Sequence, residues 1–125
     1  RIINNGGGVG GVDGVGRVSV VIGDPDGSQL VALQAHMMVF PSAVVGIATG
    51  VGVDSATVNS AQTFGVAGSG NSNDFREANA FYTGYPGLGF HALNQLEFSD
   101  ATGTTTFYGA VSPYAKSGMS GWVMA

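Results

Sequence analysis

"PGLGFHALNQLEF", residues 86–98, decides how this chain folds. It fits a helix and a strand about equally well. As a strand, His91, Leu93, Gln95 and Glu97 share one face, which is mostly polar, because side chains alternate with period two. The opposite face carries Phe90, Ala92, Asn94, Leu96 and Phe98, which is mostly apolar. His91 and Glu97 then stand roughly 20 Å apart at about 3.3 Å per residue. In a helix, residues six apart do not meet either. The pair is therefore not a catalytic dyad in either conformation. Pro-Gly-Leu-Gly before the stretch and "SDATGTTTF" (99–107) after it make it one arm of a hairpin. The expectation is a core face of Phe90, Leu96 and Phe98, with His91 facing solvent or a sister subunit.

The same ambiguity recurs in "QLVALQAHMMVF" (29–40). Period two gives an unbroken apolar face of Val31, Leu33, Ala35, Met37 and Val39. Period 3.6 gives Leu30, Leu33, Met37 and Phe40, with Ser28 as a cap. Strand is preferred because both neighbours alternate. "RVSVVI" (17–22) puts Val18, Val20 and Ile22 on one face. "VVGIATGVGVD" (44–54) sets Val45, Ile47, Thr49, Val51 and Val53 against Gly46, Ala48, Gly50 and Gly52. A strand with glycine along one face packs close to something bulky or to another subunit. "ATVNSAQTFGVA" (56–67) is a weaker strand, "FREANAFYTG" (75–84) an irregular segment or short strand, and "TTTFYG" (104–109) and "GMSGWVMA" (118–125) further strands. "DPDGS" (24–28) is a turn. Seven or eight short strands at such spacing predict an all-β antiparallel sandwich or barrel.

Composition agrees. The chain has 125 residues, enough for one domain with a modest core. Its 22 glycines argue against long helices. Charged residues are only 10%, against roughly 25% in ordinary domains, and the net charge is −4. Four cations, Arg1, Arg17, Arg76 and Lys116, form no cluster, so nucleic acid and anionic membrane surfaces are not expected partners. No run approaches 18 apolar residues, the length of a membrane-spanning helix. Cysteine is absent, which excludes a disulfide framework and a thiolate metal site. Residues 1–16 hold seven glycines without a strict three-residue period and read as a linker or stalk end, with the domain proper over 17–125. The chain begins with Arg and shows no signal-peptide pattern, as expected of a piece of a larger protein.

The chemical motifs are weak. Gly6, Gly8 and Gly11 fit G-x-G-x-x-G, but no strand precedes them and no helix follows. Asp24 and Asp26 lack the further oxygen ligands of a calcium loop. "GMSG" around Ser120 lacks one residue of a nucleophile elbow. No cofactor, metal or catalytic residue is expected. "AFYTGYPG" (80–87) could form an aromatic platform for a sugar or a protein loop.

"GYPGLGFHALNQLEFSDATGTTTFYG" (84–109) with "KSGMSGWVMA" (116–125) carries a resemblance. Pro-Gly-x-Gly, an alternating strand, an Ala-Thr-Gly hairpin, a Thr-rich strand and a terminal Ser-Gly-aromatic strand follow in order. The pattern resembles the β-sandwich heads that end bacteriophage tail fibres, head fibres and spikes, which are related in shape to tumour necrosis factor and complement-type heads. The resemblance implies a jelly-roll-like sandwich of about eight strands, trimeric about an axis near the last strand. Trp122 and Met124, with His91, are then expected at the subunit interface. Tyr82, Tyr85 and Tyr114 are the expected contacts for a host-surface glycan or protein. It also implies a non-enzymatic component on the virion surface or outside the cell. The alternative is a capsid decoration protein or self-assembling fibre subunit whose N-terminal segment completes a neighbour's sheet. A carbohydrate-active enzyme needs two carboxylates across a cleft, and only Glu77, Glu97 and scattered aspartates are available.

Overall fold

The computed structural model describes residues 2–4, 11–23, 26, 28–42, 46–62, 65–68, 74–99, 104–109 and 117–124. These residues form nine β-strands and no helix: β1 (Ile2–Asn4), β2 (Gly11–Ile22), β3 (Val31–Pro41), β4 (Gly46–Val53), β5 (Gly65–Gly68), β6 (Arg76–Gly84), β7 (Gly89–Ser99), β8 (Thr104–Tyr108) and β9 (Gly118–Val123). All pairings are antiparallel. One sheet runs β1-β8-β3-β6, and the other runs β2-β7-β4-β5. β6 pairs along nearly the whole of β3. The other edge of β3 is shared between β9, against Val31–His36, and β8, against Met38–Pro41.

The apolar row expected of β3 lines the interior: Val31, Leu33, Ala35, Met37 and Val39 are all buried. Ile47 and Val51 of β4, Ala78, Ala80 and Tyr82 of β6, and Phe107 of β8 meet it from around the interior. Each fully buried Val, Ile, Leu or Phe contributes about 1.5–3 kcal/mol. The apolar core falls into two clusters, one around Leu33, Val51, Tyr82 and Leu93, the other around Met37, Ile47 and Phe107.

β4 alternates as expected, and the partner of its glycine face is the chain's own loop. A Cβ on Gly50 would strike the Asn59 side chain, and one on Gly52 would strike the carbonyls of Ser55 and Val58. The loop over 55–60 is thus laid flat on the outer surface of β4. Asn59 holds it there by accepting from Val51 N at 3.0 Å and Ala61 N at 3.2 Å. Ser60 N also donates to Val51 O at 2.7 Å. The weak strand expected over 56–67 is this loop followed by the four residues of β5.

β7 is a strand, but the face expected outside points to the core. His91, Leu93, Gln95, Glu97 and Ser99 are buried, while Phe90 and Phe98 are exposed; Leu96, expected in the core, is buried, as are Ala92 and Asn94 on its face. The reason lies in the neighbours. Directly paired residues point to the same side of a sheet. Val53, Val51, Thr49 and Ile47 of β4 pair with Leu93, Gln95, Glu97 and Ser99. Val18 and Val20 of β2 pair with Leu93 and His91. Those inward rows fix the face of the strand between them. The polar groups this buries find partners: Gln95 Nε2 donates to His36 O at 3.0 Å, and Ser99 Oγ lies 2.6 Å from Thr105 Oγ1.

The strand expected from Arg17 begins at Gly11, and Ile2–Asn4 pair with Thr104–Thr106. Parts of the segment expected as linker therefore belong to the two sheets. Residues 5–10 lie outside the described residues. β2 departs from regular pairing between Val12 and Arg17, where glycines interrupt the alternation.

Candidate functional site

The turn between β6 and β7, "GYPGLG" (84–89), projects two apolar side chains. Tyr85 is 64% exposed and Leu88 63%. Gly87 (φ +100°) and Gly89 (φ +121°) occupy backbone conformations open mainly to glycine. Gly84 is required for space, since a Cβ there would meet the phenol of Tyr82. Phe90 continues the apolar surface onto the outer face of β7, beside its cross-strand partner Val21. Four exposed apolar residues thus gather at one end of the sandwich.

The turn is anchored from beneath by His91. Its Nδ1 lies 2.7 Å from Asp54 Oδ2, and its Nε2 lies 3.1 Å from the Gly87 carbonyl. Asp54 stands just past the end of β4 at φ +52°, a left-handed conformation that aspartate tolerates better than most residues. Its backbone N–H donates to Ala92 O at 2.8 Å, and its Oδ1 accepts from Ala92 N at 2.8 Å. The carboxylate therefore finishes the β4–β7 ladder with a side chain while the backbone turns away. The bond from His91, and then that from Ala92, holds the Asp54 carboxyl below its ordinary pKa. Asn94 secures the loop that follows, donating to Ser55 O at 3.1 Å.

A histidine oriented by an aspartate is the geometry of a general base. Here the far ring nitrogen faces a backbone carbonyl, not a nucleophile or an open cleft. Glu97 is buried further along β7, and the partner of His91 is Asp54. Sequence spacing could not have found that pair, because 37 residues separate the two. Among the described residues no group of three or more His, Cys, Asp or Glu is placed to hold a metal ion.

The tyrosines expected to contact a receptor part company. Tyr85 is exposed, but Tyr82 is 7% exposed and belongs to the core cluster. Burial, and the nearby charge of Asp54, push its phenol pKa up. Tyr82 is therefore a packing residue: position 82 falls on the inward row with Ala78 and Ala80. Tyr114 lies outside the described residues. His91, expected to face solvent or a sister subunit, is buried within its own chain.

Trp122 and Met124 are exposed, at 53% and 56%. Trp122 pairs with Ala32 across β9 and β3, on the outer face of the first sheet. With Gln34, Phe81, Thr83 and Ser120 it lines a shallow groove of about 380 Å³. Gly121 lets β9 lie this close, because a Cβ there would strike the Ala32 carbonyl and Leu33. Along the same sheet Phe40, Phe75 and Tyr108 form a second aromatic group, with ring centroids 5.2 and 5.5 Å apart. Between the two groups His36 lies 2.7 Å from Asn79 Oδ1 and 3.9 Å from Glu77 Oε1. On the second sheet a groove of about 360 Å³ lies between loop 55–60 and Phe98, over Gly50 and Leu96.

The chain matches no protein-family model, no curated protein and no solved structure at a significant level.

Proposed function

We propose that this chain is the head domain of a bacteriophage fibre or spike. In this reading it is a non-enzymatic, jelly-roll-like sandwich that assembles as a trimer on the virion surface. The observation that carries the proposal is the outer face of the first sheet. Trp122, Phe81 and Phe75 are exposed there, in a chain with only 10% charged residues. An aromatic face with so little polar cover is suited to burial against copies of itself. The strand order supports the jelly-roll part. The chain crosses between the sheets at β1→β2, β2→β3, β3→β4, β5→β6, β6→β7 and β7→β8. That alternation is expected when two Greek keys wrap a sandwich.

Attachment to a host glycan or surface protein is assigned to the turn carrying Tyr85 and Leu88, with Phe90 beside it. Two glycines at positive φ and a proline shape this turn, and His91 anchors it, so its aromatic ring is presented at small entropic cost.

Native mass spectrometry tests assembly. A species of three times the 12.6 kDa subunit is expected, reduced to monomer by Trp122→Arg with Phe81→Glu. A wild-type monomer at micromolar concentration would reject the trimer. Binding of the purified domain to host cells, with Tyr85→Ala as control, tests attachment. Equal binding by both proteins would reject the turn as the contact.

One observation favours the alternative of a self-assembling subunit. β1 has three residues and pairs at the edge of the first sheet, so the same register with Thr104–Thr106 is open to a neighbour's N-terminal segment. Deleting residues 1–10 separates the two: a head survives as an oligomer, and a strand-exchanged polymer falls apart.

A further inference from the structure

We propose that His91 is a proton-operated latch on the Gly84–Gly89 turn: the imidazolium ties Gly87 to Asp54, and loss of one ring proton releases the turn at Gly87. The inference rests on the geometry of the turn and is independent of any attachment role.

Both partners of the ring are acceptors. Asp54 Oδ2 lies 2.7 Å from Nδ1, and the Gly87 carbonyl lies 3.1 Å from Nε2. Only the doubly protonated ring donates from both nitrogens. The neutral ring has a single N–H, and the shorter, charge-assisted bond to the carboxylate retains it. The Nε2 lone pair then faces a carbonyl oxygen, and that contact turns from attractive to repulsive. The His91 side chain is only 11% exposed, so water has little access to mend the mismatch. Gly87 and Gly89, both at positive φ, have other backbone conformations open to them once the tie from His91 is lost. Its side chains Tyr85 and Leu88 are exposed and make little resistance.

Among the described residues, the charged and titratable groups around the ring are few. Asp54 approaches from the end of β4. Tyr82 of β6 lies near enough for Asp54 to influence its phenol. From β2 the cross-strand neighbour is Val20. Glu97 is six residues further along β7, roughly 20 Å away at 3.3 Å per residue. Histidine is the side chain whose ordinary charge change falls between pH 5 and 8. The latch is therefore closed on the acid side and open on the alkaline side.

The test is an NMR pH titration of the intact chain, following the His91 ring protons and the exchange protection of the Leu88 and Gly89 amides. Protection is normalised for the intrinsic pH dependence of exchange. It should fall about tenfold as the ring loses its proton, the size expected for losing one hydrogen bond to a charged group. Protection that stays flat while the His91 ring loses its proton overturns the proposal. Asp54→Asn supplies the second arm. The Asn amide can donate to Nδ1, which places the neutral ring's proton on Nε2, facing Gly87. Protection should then stay high at alkaline pH, where the wild type loses it, because Nε2–H faces Gly87 in this neutral ring as it does in the imidazolium. An Asp54→Asn protein with the wild-type slope overturns the latch.

Discussion

His91 Nδ1 and Asp54 Oδ2 meet at 2.7 Å, one residue beyond the last rung of the β4–β7 ladder, and extend that ladder with side chains. Asp54 also bonds Ala92 through both its amide and its carboxylate. One residue thus ends a strand, starts a loop and orients a histidine.

Asp54→Ala should lower the thermal midpoint measurably. It removes both carboxylate bonds and places alanine at φ +52°. Asp54→Asn should lie close to wild type, because Asn accepts from Ala92 and tolerates the left-handed conformation. The pH dependence has a definite sign. The folded pKa of Asp54 is lowered, so its contribution is present above the unfolded value of about 3.9 and is lost as pH falls through the folded value. Urea midpoints from pH 6 to pH 2 should therefore show wild type losing its advantage over Asp54→Ala below about pH 4. A gap that stays constant across that range would contradict the assignment.

Leu93→Ala should cost about 2–5 kcal/mol of unfolding free energy, as for a fully buried leucine. Phe90→Ser, on the opposite face, should cost about 0.5 kcal/mol or less. Denaturant titrations of the two variants decide the orientation of β7. If the serine variant proves the more damaging, the strand faces the other way.

Gly52→Ala should destabilise the protein by about 1–3 kcal/mol, because the new methyl group meets the carbonyls of Ser55 and Val58, which belong to backbone and cannot rotate aside. Gly118→Ala is the control, since open space surrounds a Cβ there. Equal midpoints for the two variants would mean that loop 55–60 does not lie on β4.

Gln62 guards the free edge of β6. Its side-chain amide donates to Thr83 O at 2.5 Å and accepts from Thr83 N at 2.8 Å, and its backbone N–H bonds Phe81 O at 3.0 Å. The amide takes the place of a paired strand residue. Gln62→Ala should leave stability nearly unchanged while raising self-association, because an open edge recruits other strands. Light scattering against concentration measures this; scattering identical to wild type would show that the edge is protected by something else.

How far the fold was legible from sequence depends on the strand. β3 and β4 carry single apolar rows, Val31 to Val39 and Ile47 to Val53, and each dictates its own facing. β7 has two defensible faces, and only the pairing with β2 and β4 selects between them. Alternation also could not show that Tyr82 points inward, because it shares its row with small alanines. Tyr85 was legible because a Tyr-Pro-Gly turn exposes its side chain. The His91–Asp54 contact was not legible, because it depends on two strands distant in sequence coming into register.

The divided loyalty of β7 has a consequence for the folding pathway. A strand that cannot choose its own side must wait for a template. Val53 and Val18, which pair with Leu93, lie far from it along the chain, and closing such distant contacts is slow. Placement of β7 is therefore a late event, after β4 has taken up its facing. Stopped-flow kinetics of Leu93→Ala should show faster unfolding with little change in the folding rate. A folding rate that falls in proportion to stability would put β7 in the nucleus instead.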